Sequence, residues 1–547
     1  AVAALLLAGC AAQRPVPAPA PASAFEVQIL ALNDFHGNLE RPDPVRFQLG
    51  PDTFATADAG GAAIVGAELA DLRAGHDHTI TVAAGDLIGA SPLTSAYFLD
   101  EPTIEAMNLM GLNLASVGNH EFDKGSAELL RMQRGGCEKY TMRVPCRLER
   151  FAGARFQYLA ANTFRADGST IFPPSAIRRF GPIKIGFIGM TLKQTSNLVT
   201  PSGVAGLRFA DEAATANALV PRLRAAGADS IVLLIHQGGK VPESYHLQDC
   251  DGLSGDILPI LDRLDPAIAT VVSGHTHHAY ACEIERGGAK RLLTSAGKYG
   301  YFVSDLRLDF DPRTHRLLAQ HARNVPAMRQ GSGDPAIVAL VARYTEAVAP
   351  VANRVIGRLT AAAKKSDQES ESPAADLVAD SMLAATRNDA QLALVNSTGI
   401  RVDLPGGDVR YKDAFAMMPF GNNLVVLTLT GAQLKTVLEQ QYAVPLRPKA
   451  TLPAVLAPSA GFTYAVDLRA PEGQRISEMR HAGNAVDAAK SYRVVLNNYL
   501  AAGGDGLSGF TAGTNLFDTG IIDLDALVEW IAKDQTPPPP NRIRLTT

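Results

Sequence analysis

The chain has 547 residues, of which 46% are hydrophobic and 19% are charged, and 51 basic against 55 acidic side chains give a net charge of -4. A chain of this length exceeds what a single hydrophobic core can hold, so we expect at least two domains. The near balance of charge excludes a strongly basic face, so we expect no nucleic acid polymer as a partner. An anionic ligand would have to be recognised locally.

The N-terminal segment, residues 1–24, has the composition of a lipoprotein signal followed by a tether. An apolar run occupies residues 2–8 and is too short to span a bilayer. The letters LAGC at 7–10 have the pattern of a bacterial lipobox, which predicts lipidation of Cys10. That reading predicts an exported protein, lipid-anchored at the periplasmic face of the membrane or at the cell surface; a plain cleaved signal is the alternative. Residues 11–24 are mostly Pro and Ala and predict an extended tether.

The chain alternates strand and helix patterns from residue 25 to about 330. Apolar runs rich in Val and Ile predict strands at 27–32, 79–83, 114–117, 157–160, 184–188, 230–235, 270–272 and 291–295. Helices are predicted at 62–73, 103–110 and 213–225. Apolar strands separated by helices are typical of sheets that are covered on both faces. The pattern therefore predicts a layered α/β domain over residues 25–330.

A connector helix is predicted between this domain and a second one. The segment 331–356 contains Asp334 followed by Pro335, which is a helix-start signal, and we expect the helix to reach about residue 360 with an interruption at Pro350. Residues 357–547 are predicted to form a second α/β domain. Its predicted strands are 390–395, 423–430, 461–466 and 492–497, and its predicted helices are 374–385 and 431–439.

Four cysteines follow Cys10 along the chain, namely Cys137, Cys146, Cys250 and Cys282. An even number of cysteines in an exported protein favours disulfides, and the spacing pairs 137 with 146 and 250 with 282. Zinc binding is the alternative, but the paired CxxC spacing of zinc sites is missing from the sequence.

Five short segments place metal-binding side chains directly after strand-like runs. They are NDFHG at 33–37, GD at 85–86, GNHE at 118–121, His236 after the run 231–235, and GHTH at 274–277. In open α/β sheets, ligands bind beyond the carboxyl ends of the strands, so these side chains are expected to converge. Imidazole and oxygen ligands suit Zn, Mn, Co or Fe. The set is large enough for two divalent cations, an arrangement that hydrolyses phosphate esters.

Six other histidines lack this context and are predicted to be surface residues: His76, His78, His246, His315, His321 and His481. His278, the last histidine of the GHTHH segment, is left out of the ligand set.

The segments NDFHG, GD, GNHEFD, HQGG and GHTHH together resemble the signature of calcineurin-like metallophosphoesterases, and in particular the 5′-nucleotidase family. The resemblance covers nearly the whole chain after residue 25. It implies an N-terminal four-layer α/β/β/α metallophosphoesterase domain, a connector helix and a C-terminal α/β substrate-binding domain.

The resemblance also implies roles for individual residues of the first domain. One metal would be held by Asp34, His36, Asp86 and His277, and the other by Asp86, Asn119, His236 and His275, with Asp86 bridging the two. His120 would stabilise the transition state or protonate the leaving oxygen, and Asp123 would orient and charge it.

Three C-terminal segments resemble the family's substrate-binding domain. Phe420 and Tyr499 would sandwich a nucleobase, Asp505 would accept hydrogen bonds from ribose, Arg401 would reach the phosphate, and Asn396 would contact base or sugar. Without the resemblance, Phe420 reads as core and the run 503–506 as a turn. The segment 396–398 reads Asn-Ser-Thr where the family often has Asn-Gly-Gly.

The implied activity is hydrolysis of nucleoside 5′-monophosphates to nucleoside and phosphate by metal-bound hydroxide. The alternatives are a UDP-sugar or 2′,3′-cyclic nucleotide hydrolase on the same site, a thiosulfohydrolase, and a non-catalytic nucleotide- or metal-binding lipoprotein. The sequence sets neither the metal nor the oligomeric state.

Overall fold

A computed structural model of the chain describes residues 24–546 except 51, 142, 200, 329–330, 367–370, 387–388 and 444–454. The predicted signal, most of the tether and Cys10 lie outside the described residues.

The described residues of the first half of the chain form sixteen strands. They are β1 (Phe25–Leu32), β2 (Val45–Gly50), β3 (Thr53–Ala57), β4 (Thr79–Ala84), β5 (Leu114–Ser116), β6 (Gln157–Leu159), β7 (Thr163–Phe164), β8 (Ser175–Phe180), β9 (Ile183–Thr191), β10 (Arg208–Phe209), β11 (Ser230–His236), β12 (Ile268–Ser273), β13 (Ala279–Arg286), β14 (Ala289–Ala296), β15 (Phe302–Phe310) and β16 (Leu317–Pro326). Its helices are α1 (Ala62–Arg73), α2 (Leu93–Ala96), α3 (Glu101–Leu109), α4 (Ser126–Arg134), α5 (Thr195–Leu198), α6 (Glu212–Ala225) and α7 (Ile257–Leu261), with 3-10 turns at His120–Phe122 and Pro201–Val204.

The second half begins with a long helix and continues with shorter elements. They are α8 (Pro335–Ala352), β17 (Val355–Leu359), α9 (Pro373–Ala385), β18 (Leu392–Asn396), β19 (Gly407–Arg410), α10 (Tyr411–Met417), β20 (Asn423–Thr430), α11 (Gly431–Ala443), β21 (Leu456–Pro458), β22 (Phe462–Asp467), β23 (Ile476–His481), β24 (Asn484–Ala485), β25 (Ser491–Asn497), α12 (Asn498–Ala501), β26 (Thr514–Ile522), α13 (Asp523–Ile531) and β27 (Ile543–Thr546). Further 3-10 turns lie at Ser397–Gly399, Gly504–Gly506 and Ser508–Ala512.

Two six-stranded sheets face each other in the first half, in the orders β16-β15-β1-β4-β5-β6 and β13-β14-β12-β11-β9-β8. In strand β1, Ile29 and Ala31 pack in the layer between the sheets, whereas Leu30 packs on the side of α1. Strand β11 likewise sends Val232 between the sheets and Leu233 towards α6 and α7. Because both faces of each sheet are covered, the strands are apolar on both sides. The predicted four-layer α/β/β/α architecture is confirmed.

The central strands of each sheet are parallel, so their carboxyl ends meet at one edge. In the first sheet β1, β4, β5 and β6 run parallel, and in the second sheet β9, β11, β12 and β14 do. The second half is also α/β, with a five-stranded sheet in the order β21-β18-β25-β20-β26 and a four-stranded sheet in the order β24-β23-β22-β27. The predicted second α/β unit is confirmed, whereas its boundaries at 330 and 356 stay predictions.

Helix α8 starts as predicted and ends earlier. The Asp334 carboxylate accepts hydrogen bonds from the backbone N–H groups of Ala336 and Ile337 and so caps the helix. The helix continues through Pro350 and ends at Ala352, so the predicted interruption and the predicted extension to about residue 360 are both wrong. The β-branched residues Val355 and Ile356, which follow the helix, belong to β17, and this strand pairs antiparallel with β19.

The composition of α8, 18 residues with a mean hydropathy of 1.3, would also fit a membrane span. Its buried residues instead follow a helical stripe, the pattern of a helix that packs on a core: Ile337, Leu340, Tyr344, Val348 and Ala352.

Both predicted disulfides are present. Cys137 bonds to Cys146 with their Cα atoms 5.6 Å apart, and Cys250 bonds to Cys282 with their Cα atoms 5.9 Å apart. The second bridge ties β13, which follows the GHTHH segment, to the loop after β11. These four cysteines are therefore not metal ligands.

Candidate metal centre and substrate site

The predicted metal ligands all lie at the carboxyl ends of parallel strands. Those of the first sheet follow β1, β4 and β5, and they are Asp34, His36, Asp86 and Asn119. Those of the second sheet end β11 or follow β12, and they are His236, His275 and His277. The two sheets face each other, so the site forms where their edges meet.

One group of donors contains Asp34, His36 and His277, whose ligand atoms lie within 4.8 Å of one another. His36 Nε2 is 3.1 Å from His277 Nε2 and 3.8 Å from Asp34 Oδ1. His36 Nδ1 is 2.9 Å from the Gly89 carbonyl oxygen, which leaves Nε2 facing the other donors.

A second group contains Asp86, His236 and His275. His236 Nε2 is 2.9 Å from Asp86 Oδ2 and 3.1 Å from Asn119 Oδ1. Asp86 Oδ2 also lies 3.8 Å from His36 Nε2 of the first group. The carboxylate of Asp86 therefore stands between the two groups, where the resemblance expects a bridging ligand.

The backbone of this site is strained in a systematic way. Five predicted ligands have positive φ angles, which non-glycine residues seldom adopt: Asp34 at 49°, His36 at 47°, Asp86 at 51°, His275 at 72° and His277 at 63°. Conformations of this kind persist only where the surroundings enforce them and cluster at functional sites. Gly118 gives the loop room, since a Cβ there would lie 2.1 Å from Asp86 Oδ1.

Glu121 enforces part of this backbone, a role that the sequence analysis did not assign. Its carboxylate accepts hydrogen bonds from the N–H groups of Asp86 at 2.9 Å, Leu87 at 2.8 Å and Gly118 at 2.6 Å. The side chain therefore ties the β4 loop to the β5 loop. The available signal was its place in GNHEF, where a carboxylate directly precedes the buried Phe122.

Burial and neighbouring charges shift the candidate ligands in different directions. Burial raises the pKa of Asp34 to about 7, and the Asp86 carboxylate raises the pKa of His236 to about 9 against the effect of burial. Burial lowers the pKa of His36 and of His275 to about 3, so both imidazoles are neutral at pH 7. Burial opposes ionisation of Asp86, but the imidazoles of His236 and His120 hold the pKa of that carboxyl well below its usual range. Neutral imidazoles and ionised carboxylates are the forms that bind metals.

The residues present fit a pair of divalent cations. Asp34 and Asp86 are buried, and across the described residues neither carboxylate has a Lys or Arg within 4.0 Å. Buried carboxylates need compensating positive charge, which bound cations would supply. The donors are nitrogen and oxygen atoms without thiolates, which suits Zn, Mn, Co or Fe.

His120 and Asp123 form the pair expected beside the metal centre. His120 Nδ1 is 2.8 Å from Asp123 Oδ2, and the ring of His120 lies 5.1 Å from that of His36. Burial lowers the pKa of His120, but the carboxylates of Asp123 and Asp86 more than offset this and raise it to about 9. The neighbouring carboxylates therefore favour the protonated imidazole, in which Nδ1 faces Asp123.

Two of the predicted substrate residues reach this centre from the second half of the chain. The ring of Phe420 stacks on that of His120, with centroids 6.1 Å apart and planes 14° apart. The guanidinium of Arg401 lies 5.7 Å from the Phe420 ring centroid. Burial, together with nearby positive charges that include Arg401, holds the pKa of His277 well below its usual range.

The remaining predicted substrate residues form one hydrogen-bonded group. Asp505 accepts hydrogen bonds from Asn396, Thr398 and the hydroxyl of Tyr499, each at 2.8 Å. The ring of Tyr499 covers Gly504, where a Cβ would lie 2.5 Å from a ring atom. Thr398 was not among the predicted site residues, because its segment departs from the family pattern.

One of the histidines predicted to be surface residues is buried. His246 is only 7% exposed, so that prediction is wrong for it. Its backbone N–H donates to the Ala279 carbonyl oxygen at 2.8 Å, which packs its segment between β13 and the β2–β3 hairpin. His278 Nδ1 accepts a hydrogen bond from the Val241 N–H at 3.2 Å, a contact separate from the ligand groups.

Comparison with known proteins finds two family models that match successive parts of the chain. Residues 27–279 match the family model for calcineurin-like phosphoesterase, and residues 352–512 match that for the 5′-nucleotidase C-terminal domain. Endonuclease YhcR of Bacillus subtilis (strain 168) is 27% identical over 519 residues, which are 93% of this chain and 40% of that protein. The chain thus spans less than half of that relative's length.

Two further proteins are matched over most of their length. The probable 5′-nucleotidase of Treponema pallidum (strain Nichols) is 25% identical, over 93% of this chain and 92% of that protein. The crystal structure of the 5′-nucleotidase precursor from Thermus thermophilus aligns with a TM-score of 0.74 at 25% identity, over 95% of this chain and 99% of that one. With both family models matched in order and the metal donors assembled, the chain belongs to the 5′-nucleotidase family of calcineurin-like phosphoesterases.

Proposed function

We propose that this protein hydrolyses nucleoside 5′-monophosphates to nucleoside and phosphate. One observation carries the proposal: the His120 imidazole lies between the metal donors and the Phe420 ring, 5.1 Å from the His36 ring and 6.1 Å from the Phe420 ring. A phosphate at the metal donors would have its leaving oxygen towards His120, and the leaving nucleoside would extend over Phe420.

The seven predicted ligands would hold the two cations, Asp34, His36 and His277 on one side and Asn119, His236 and His275 on the other, with Asp86 between them. When bound, a dimetal pair supplies an activated water and neutralises charge on the phosphoryl group. The chain's own contribution is to position the ester. Arg401 offers a planar pair of donors to a phosphate oxygen.

His120 is proposed as the general acid. Asp123 holds Nδ1, so the proton on Nε2 is free to pass to the departing 5′-oxygen. The Asp123 carboxylate, which raises the pKa of His120 and is outside the proposed ligand set, favours this protonated form. The Phe420 ring and the Tyr499 ring are proposed to hold the base, Asp505 the ribose, and Asn396 the base or sugar, through contacts that tolerate different bases.

The direct experiment measures hydrolysis products from purified protein loaded with Mn or Zn. The products are phosphate from monoesters, UMP from UDP-glucose, a nucleoside monophosphate from the cyclic nucleotide, shorter strands or nucleotides from DNA, and sulfate from thiosulfate esters. The panel holds AMP, UMP, UDP-glucose, 2′,3′-cyclic AMP, thiosulfate esters, a short single-stranded DNA and p-nitrophenyl phosphate. We expect the highest kcat/KM for the nucleoside monophosphates. A higher value for UDP-glucose or the cyclic nucleotide would replace the proposed substrate, and an inert loaded protein would support the non-catalytic alternative.

We also propose that the protein is exported and lipid-anchored through Cys10. The two disulfides support export, because disulfides persist in oxidising compartments. Mass spectrometry of the mature N-terminus should find acyl chains on Cys10, and Cys10→Ser should release the protein from the membrane fraction. Membrane retention of the Cys10→Ser protein would contradict the anchor.

A further inference from the structure

Asp505 is held by three donors that leave it little capacity for a ligand. Asn396 Nδ2 and Thr398 Oγ1 each donate to Asp505 Oδ2 at 2.8 Å. The Tyr499 hydroxyl donates to Oδ1 at 2.8 Å and accepts from the Asp505 N–H at 2.9 Å. The Thr398 hydroxyl also accepts from Asn396 Nδ2 at 2.7 Å, so the group is mutually bonded.

This carboxylate belongs to the same surface as the proposed stacking ring. The Thr398 carbonyl oxygen accepts a hydrogen bond from Arg401 Nη1 at 3.5 Å, and Arg401 in turn lies over Phe420. Asp505 and Thr398 are both partly exposed, whereas Asn396 is only 5% exposed. A nucleotide that stacks on Phe420 would, in the proposed binding mode, place its ribose towards Asp505 and the hydroxyl of Thr398.

The number of free acceptor positions follows from carboxylate chemistry. An ionised carboxylate has about four acceptor positions, two on each oxygen. Two donors occupy both acceptor positions of Oδ2, and a third donor occupies one of the two positions of Oδ1. About one acceptor position of the carboxylate therefore remains. Two neighbouring sugar hydroxyls that both donate to this carboxylate would need two positions.

We propose that Thr398 sets the sugar specificity of this site by occupying Asp505 Oδ2, so that only one sugar hydroxyl is recognised there. This inference rests on the proposed nucleotide-binding role of the second half. The substrate class is then extended to nucleoside monophosphates that lack one ribose hydroxyl. Thr398 acts through Asp505 and is a positioning residue.

The test compares kcat/KM for AMP, 2′-deoxy-AMP, 3′-deoxy-AMP and 2′,3′-dideoxy-AMP. In the unaltered protein, at least one of the two singly deoxygenated substrates should be within about threefold of AMP, and the dideoxy compound should be about tenfold worse or more, the usual effect of one hydrogen bond to a charged group. Thr398→Ala removes the donor together with the atom that lies against Oδ2. That variant frees a position on Oδ2, so both singly deoxygenated substrates should fall about tenfold below AMP.

Thr398→Ser is the matched control, because it retains the hydroxyl and should retain the ratios of the unaltered protein. The inference is overturned if both single deletions already cost about tenfold in the unaltered protein, or if Thr398→Ala leaves the ratios unchanged. If no nucleotide releases phosphate, the proposed function has failed, and calorimetric Kd values for adenosine and its 2′-deoxy and 3′-deoxy forms give the same ratios. Absence of nucleoside binding would overturn the inference as well.

Discussion

The imidazole of His120 and the phenyl ring of Phe420 lie nearly parallel, 14° apart, although 300 residues separate them in the sequence. His120 follows Asn119, a proposed metal ligand, and Phe420 precedes β20 in the second half of the chain. The proposed acid and the proposed base-stacking ring are therefore in contact. A nucleotide that stacks on Phe420 would therefore place its phosphate ester next to His120.

Removal of the acid should reduce turnover without emptying the metal centre. We expect His120→Ala to lower kcat by about 10²–10⁴, the usual contribution of a general acid, while metal content measured by mass spectrometry stays close to two ions per chain. His321→Ala is the matched control, since that histidine is exposed on β16. Unchanged kcat in the His120→Ala protein would remove the proposed role.

Loss of the stacking ring should affect nucleotides more than small esters. Stacking contributes about 1–3 kcal/mol per base, so Phe420→Ala should raise KM for AMP by about tenfold and leave KM for p-nitrophenyl phosphate within about twofold. Phe517→Ala is the control, because that ring is 53% exposed on β26. Equal effects on the two substrates would contradict base stacking.

A single methyl group at position 118 should disrupt the metal centre. The Cβ of Gly118→Ala would lie 2.1 Å from Asp86 Oδ1 and 2.5 Å from the Asp86 nitrogen, so the bridging carboxylate has to move. We expect fewer bound ions and loss of phosphate release with an unchanged circular dichroism spectrum. In Gly50→Ala, where a Cβ meets no atom within 4 Å, ion content should be normal. Full ion occupancy in Gly118→Ala would show that the site is more adaptable than its geometry indicates.

The two disulfides should differ in their contribution to stability. The bridges span 9 and 32 residues, and in the chain-entropy model the longer loop contributes about 1 kcal/mol more. Urea unfolding of the Cys250→Ser/Cys282→Ser double variant should therefore give the larger loss, about 2–4 kcal/mol. A larger loss from Cys137→Ser/Cys146→Ser would indicate that local contacts outweigh loop length.

Much of the fold was predictable because its signals are local. Apolar runs identified the parallel strands, and the bounds of α1 and β20 match the predicted ranges, residues 62–73 and 423–430. The antiparallel strands β15 and β16 were not predicted, since β16 alternates exposed and half-buried residues and lacks an apolar run. The end of α8 was missed because only Asn353 and Arg354 separate it from the apolar residues of β17, which pair with β19 as a strand.

The residues of the candidate site were likewise only partly predictable from the sequence. The donor segments were recognisable because each couples a strand end to a residue type that binds metals. Glu121 and Thr398 were not, because their roles depend on the partners that the fold brings to them, the β4 loop for Glu121 and Asp505 for Thr398. His246 was misplaced for a related reason: its burial comes from a hairpin distant in sequence.

The position of Glu121 has a practical consequence for mutational scanning. Its two oxygens accept hydrogen bonds from three peptide N–H groups, so most of its acceptor capacity is used within the protein. Substitution there would nevertheless abolish activity as thoroughly as loss of a ligand, since two loops would lose their common anchor. A survey that ranks positions by lost activity alone would list this glutamate among the residues that bind metal or substrate, although its role is to hold the structure of the two loops.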